Sequence, residues 1–194
     1  MSQSFLSETL YFCNKGKENT EALLGHAARR AGELKLKRVL VATCTGRTAE
    51  LALSHFDPAV FEVIAVTHVT GFSAPNVQEM PEEARAGLEA KGAKVLTAAH
   101  AFGGVGRGVR NKLKTYQVDE IMAFALRTLG QGVKVGVEIA CMAADRGWVR
   151  TDEDVLTIAG SGGGADTAMV VQPSNSHTCL DTKIREIVAK PRDP

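Results

Sequence analysis

Six consecutive residues bring together the functional groups that an anion site needs. Thr43, Cys44, Thr45, Gly46, Arg47 and Thr48 supply three hydroxyls, a thiol, a guanidinium and a flexible glycine. They lie between an apolar run, Val39-Leu40-Val41-Ala42, and a helix-forming run that contains Ala49, Leu51, Ala52 and Leu53. A strand that breaks into a helix across such a turn exposes backbone N–H groups at the positive end of the helix, and that arrangement binds phosphate. Threonine hydroxyls add donors, Gly46 permits a left-handed turn, and Arg47 adds a cation. The same residues also suit an ordinary strand-to-helix turn capped by Thr45 or Thr48. The GxxxxGK[ST] spacing of a Walker A loop is missing.

A second chemistry-bearing stretch is Gly160, Ser161, Gly162, Gly163 and Gly164, followed by Ala165 and Asp166. It fits GxGxxA in form, but Met169-Val170-Val171-Gln172-Pro173 follows where a dinucleotide fingerprint requires a helix. It reads instead as a glycine wall against a flat ligand or as a plain hairpin turn, with Asp166 and Thr167 capping the turn or bonding the ligand. Thr67, His68 and Gly71 lie in the loop after another apolar run, and His100 falls at a third strand end. Residues 103–108 read as a flexible lid, a second anion nest or a mobile surface loop, with Arg107 and Arg110 as anion-binding or merely solvated charges. Cys44 stands near a helix start and beside Arg47, conditions that lower a thiol pKa. It also suits a small packing residue, because no histidine is adjacent in sequence. HExxH, GxSxG and a spaced carboxylate pair are all missing, so the sequence assigns neither a nucleophile nor a general base.

These residues need a scaffold that gathers loops at one edge, and the alternation of apolar segments predicts one. Strands are expected at residues 38–42, 61–66, 94–97, 154–159 and 167–171, numbered here as predicted strands 1 to 5, with a final strand over 180–188. Helices are expected from Asn19 to Gly32, from Arg47, from Met80-Pro81, over 120–127 and over 134–146. Short strands alternating with amphipathic helices imply a parallel sheet covered on both faces. In such a sheet the ligand sits beyond the carboxyl ends of the strands, where the loops at 43–48, 67–76, 97–110 and 160–166 converge.

The 194 residues read as one α/β domain, 1–194, with residues 1–17 as an N-terminal extension. A net charge of +1 does not suggest a nucleic-acid partner, and no apolar run is long enough for a membrane partner, so a cytoplasmic location is expected. Cys13, Cys44, Cys141 and Cys179 are scattered, which supports neither a disulfide framework nor a metal site. Tyr11, Phe12 and Trp148 are candidates for a homo-oligomer interface or for packing within the chain.

The segment RVLVATCTGRTAELAL at 38–53, followed by VIAVTHVTGF at 63–72, resembles the core of the pyruvate kinase C-terminal α/β domain. The closer resemblance is to stand-alone proteins of that family. It extends through Glu18-Asn19-Thr20-Glu21, Gly103-Gly104, Val137-Glu138-Ile139-Ala140, the GADTA block at 164–168 and Lys183-Ile184-Arg185-Glu186-Ile187. The resemblance implies a three-layer α/β/α fold with a mostly parallel mixed sheet of order 3-2-1-4-5. It also implies a bound flavin mononucleotide (FMN), its phosphate held by Thr43, Thr45, Gly46, Arg47 and Thr48. Cys44 stands in that turn where pyruvate kinase often has serine or lysine. The ring would be flanked by Thr67, His68 and Gly71 and by Gly160, Ser161, Gly162, Gly163, Gly164 and Asp166. Pyruvate kinase activity is not implied, since 194 residues cannot hold the catalytic barrel as well. The expectation is an FMN-binding protein and, if an enzyme, a flavin-dependent oxidoreductase. The alternative is a regulatory module that binds a sugar phosphate or another phosphorylated metabolite.

Overall fold

The central strands form where apolar residues run without interruption, because a strand covered by helices on both faces has no polar side to show. In the computed structural model, which describes residues 4–193, these are β2 (Arg38–Ala42), β3 (Glu62–Val66) and β5 (Val155–Ala159). With β1 (Leu10–Phe12), β4 (Lys94–Leu96), β6 (Thr167–Gln172) and β7 (Lys183–Pro191) they make a seven-stranded sheet of order β1-β7-β6-β5-β2-β3-β4. The stretch β4-β3-β2-β5-β6 is the expected 3-2-1-4-5 order. β2, β3, β4 and β5 run parallel, and β6 is antiparallel to both β5 and β7.

The pleat sorts successive residues of each strand into two cores. Val39, Val41, Val63 and Ala65 pack with Leu23, Leu24 and Ala27 of α1 (Thr20–Glu33), Ala49 and Ala52 of α2 (Arg47–Leu53) and Leu88 of α3 (Glu82–Ala90). Leu40, Ile64 and Val66 point the other way. They meet Ala123 of α5 (Val118–Arg127) and Val133, Val137 and Ala140 of α6 (Gln131–Asp145). The result is the three-layer α/β/α architecture.

Three local expectations change. Residues 103–108, read as a lid, nest or loop, run instead into α4 (Val105–Leu113), although two glycines lower its intrinsic propensity. Close approach explains Gly106: a Cβ there would lie 2.2 Å from Oδ1 of Asp119 at the start of α5. The final strand begins at Lys183 rather than Leu180, because Ser176–Asp181 makes a 3-10 segment first. In the N-terminal extension, whose residues 1–3 lie outside the described residues, β1 pairs in parallel with Ala189, Lys190 and Pro191 of β7. Phe12 packs partly onto the first core, Tyr11 is exposed against Lys190, and Trp148 packs partly onto the second core. Among the described residues no helix is long and apolar enough to cross a membrane.

Candidate functional site

The turn after β2 is built by its own side chains. Gly46 sits at φ 96°, a conformation that favours glycine, and caps α2. Its N–H donates to Oγ1 of buried Thr43 at 3.1 Å, so this amide is engaged within the chain. Thr43 in turn donates its backbone N–H to the carbonyl of Val66 at the end of β3, which ties the two loops together. The Arg47 guanidinium donates to the carbonyl oxygen of Gly163, bridging this turn to the glycine loop that joins β5 and β6.

The loop after β3 is held by a relay. Arg85 donates to Oγ1 of Thr97 at 2.7 Å, Thr97 and Thr67 share a hydroxyl contact at 2.7 Å, and Thr67 donates to the carbonyl of His68 at 2.8 Å. The His68 ring stacks on Phe72 at a centroid distance of 4.1 Å, and His100 packs 5.1 Å from Phe72. The guanidinium of Arg107, on α4, lies 5.1 Å over the Phe72 ring. Nε2 of His100 accepts the N–H of Val69 at 3.3 Å, which requires an unprotonated Nε2. Burial, helped by the charges of His68, Lys134 and Arg107 and opposed by Glu138, lowers the His100 pKa to about 4.

Between these walls lies a cavity of about 640 Å³ at the carboxyl ends of β2, β3 and β5. Its volume falls in the range of about 300–1,000 Å³ common for small-molecule sites. α6 contributes Lys134 and Glu138, an i,i+4 ion pair with both side chains buried. Oε1 of Glu138 also accepts the N–H of Phe102 at 3.0 Å. Burial lowers the Lys134 pKa even though Glu138 opposes the shift. Arg47, Arg107, Arg127 and Lys134 outnumber the single carboxylate of Glu138 in the lining, so the cleft suits an anion.

The family pattern described as the pyruvate kinase alpha/beta domain matches residues 21–171, most of the chain. The chain belongs to that family. A solved structure of the SAH-bound methyltransferase of Podospora anserina is 16% identical, with a TM-score of 0.30, over 68% of this chain and 49% of that one. The present chain thus spans about half the length of that structure.

In this pyruvate kinase alpha/beta domain, twelve of the fifteen site residues expected from the sequence meet in one cleft: Thr43, Cys44, Thr45, Arg47, Thr48, Thr67, His68, Gly160, Ser161, Gly162, Gly163 and Gly164. Gly46, Gly71 and Asp166 do not line it. Gly46 shapes the turn from behind, with its Cβ position 3.3 Å from Cβ of Ala84. Gly71 bonds Val77 within its own loop. Asp166 is buried, and its carboxylate accepts the N–H of Gly16 at 3.1 Å, the N–H of Ser161 at 3.3 Å and the hydroxyl of Thr167 at 2.9 Å. It therefore fixes the glycine loop rather than facing a guest. The glycine stretch proves to be both the β5–β6 hairpin turn and a wall of the cleft.

Sequence reasoning did not assign Phe72, Glu79, Arg127, Gln131, Lys134 or Glu138 to the site. Glu138 stood inside the VEIA block, and a lysine four residues before it on a largely apolar helix was the available signal for the buried pair.

Proposed function

We propose that the cleft binds a phosphorylated small molecule with a flat ring, and that FMN is the ligand it fits best. The observation that carries this reading is the composition of one cavity: four cations and several hydroxyls, with a stacked His68–Phe72 face and a strip of glycines also in the lining. Arg47, Thr45 and Thr48 would hold the phosphate, and the remaining Arg47 contact to Gly163 keeps the guanidinium at the lip. The glycines allow the backbone to approach a flat ring closely, and the aromatic side chains supply apolar contact. Any redox chemistry would come from the flavin, while the chain would provide binding, orientation and exclusion of water.

Titration of the purified protein with FMN, followed by absorbance and by thermal melting, tests the reading. Saturable uptake with a raised melting temperature is expected. Stabilisation by a sugar bisphosphate with no response to FMN would replace the flavin by a regulatory metabolite. Combining Arg47→Ala with Thr48→Ala should weaken binding by about 1–3 kcal/mol, the scale of lost charge-assisted hydrogen bonds. Unchanged affinity would remove the phosphate from this turn.

A further inference from the structure

Two loops, the turn after β2 and the long segment between β3 and α3, bring a thiol, an imidazole and a carboxylate into line. Sγ of Cys44 lies 3.5 Å from Nε2 of His68, and Nδ1 of the same ring lies 2.6 Å from Oε2 of Glu79. Cys44 and His68 line the cleft, whereas Glu79 does not. We propose that this relay is nucleophilic: Cys44 accepts an acyl group from an ester or thioester, His68 moves the proton, and Glu79 positions His68.

The hydrogen-bond chemistry fixes the direction of the relay. An ionised carboxylate only accepts, so the proton of neutral His68 resides on Nδ1 and the lone pair of Nε2 faces the thiol. Phe72 stacked at 4.1 Å holds the ring, and the carbonyl of His68 accepts from Nε2 of Gln78 at 3.2 Å. His100, 5.3 Å away, uses its Nε2 to hold Val69 and does not compete for the thiol proton. Nucleophile, base and orienting carboxylate therefore stand in the order that acyl transfer uses.

Burial, and then the charge of Glu79, push the Cys44 thiol above its ordinary value. The thiol thus keeps its proton at rest, and that proton moves during attack. As the sulfur–carbon bond forms, the thiol proton passes to Nε2 and the carbonyl π pair moves onto oxygen. Collapse expels the alcohol or thiol, which leaves with the proton from Nε2. Water then attacks the acyl-cysteine, gives a proton to Nε2, and releases the acid as Cys44 recovers its own. Water is the only co-reactant. Cys44 and His68 line the same cleft as the proposed FMN site, but the thiol chemistry needs no flavin, and only a preference for acyl donors that carry a phosphate rests on that reading.

The full chain treated with p-nitrophenyl acetate at neutral pH, with peptide mapping by mass, tests the relay. Exposed Cys13 serves as the internal reference. Acetylation is expected at Cys44, faster than at Cys13 despite its burial, with a burst of nitrophenolate that Cys44→Ala abolishes. His68→Asn should slow Cys44 acetylation by about a hundredfold, the scale of lost general-base assistance. Glu79→Gln should slow it and alter its pH profile, and Glu79→Asp should restore part of both. Cys44 reacting no faster than Cys13 in the wild-type chain would overturn the proposal without need of a variant. A rate and pH profile at Cys44 that are the same in Glu79→Gln would likewise overturn the role of Glu79. Added inorganic phosphate should slow the reaction. A Cys44-specific reaction that phosphate leaves untouched would count against the anion reading alone.

Discussion

His100 shares its surroundings with two cations, Lys134 and Arg107, a second imidazole, His68, and the carboxylate of Glu138. Burial dominates and lowers its pKa from 6.5 to about 4, so the folded chain holds it neutral. As the pH falls, the unfolded chain takes up this proton first. The stability that His100 allows is therefore complete above about 6.5 and declines as the pH drops from there toward 4. Because the ring is only partly buried, the loss should be on the order of 1–2 kcal/mol. Urea midpoints of the wild type and His100→Gln, measured between those two pH values, should differ in slope, with the variant flatter. Equal slopes would mean that the ring is already solvated. Glu79 was illegible as a site residue because nothing local in the sequence marks it, and Lys134 was marked only by its four-residue spacing from Glu138 on an apolar helix. They reach the cleft, or the groups that line it, only through tertiary packing. Asp166 and Gly46 had the right chemistry for ligand contact, but the chain itself occupies their polar groups.

At the scale of elements, α6 decides how closely the helical layer approaches the sheet. It is buried almost all round, and two glycines, one turn apart, make room for β5 and β6. A Cβ on Gly132 would lie 2.1 Å from Oγ1 and 2.4 Å from Cβ of Thr167, a buried residue bonded to Asp166. A Cβ on Gly136 would meet the mobile end of Met169 at 2.5 Å and Oγ1 of Thr157 at 2.8 Å. Alanine gains up to about 1 kcal/mol in helix propensity, but overpacking costs about 1–3 kcal/mol. Gly132→Ala is therefore expected to be destabilising, and more so than Gly136→Ala, where Met169 can turn aside. Guanidinium melts of the two variants check the ranking. Gly132, with Gly130 just before the helix, explains why periodicity placed its start at Lys134 rather than Gln131. The buried strands were legible because their apolar runs are continuous. The three-residue β1 was not, since it owes its conformation to β7 far along the chain, and α4 was not, since its glycines read as a loop.

Taken as a whole, the molecule uses its N-terminal segment twice, and the two uses can be separated. β1 covers the outer edge of β7, with Thr9 donating to the carbonyl of Ile187 at 2.9 Å and Phe12 accepting the N–H of Arg192 at 2.9 Å. An uncovered edge offers unpaired backbone groups to another chain. The next residues act on the cleft instead. Gly16 bonds Asp166, and Thr20 bonds both Ala165 N–H and the carbonyl of Lys17. Gly164 sits so close to this turn that a Cβ there would lie 2.6 Å from Cα of Lys17. Removing residues 1–12 should therefore lower the melting temperature and cause concentration-dependent association, visible by light scattering, while ligand affinity is retained. Removing residues 1–19 should also cost affinity, because the glycine wall loses its support. Equal affinity in both truncated chains would show that the wall keeps its shape without the segment behind it.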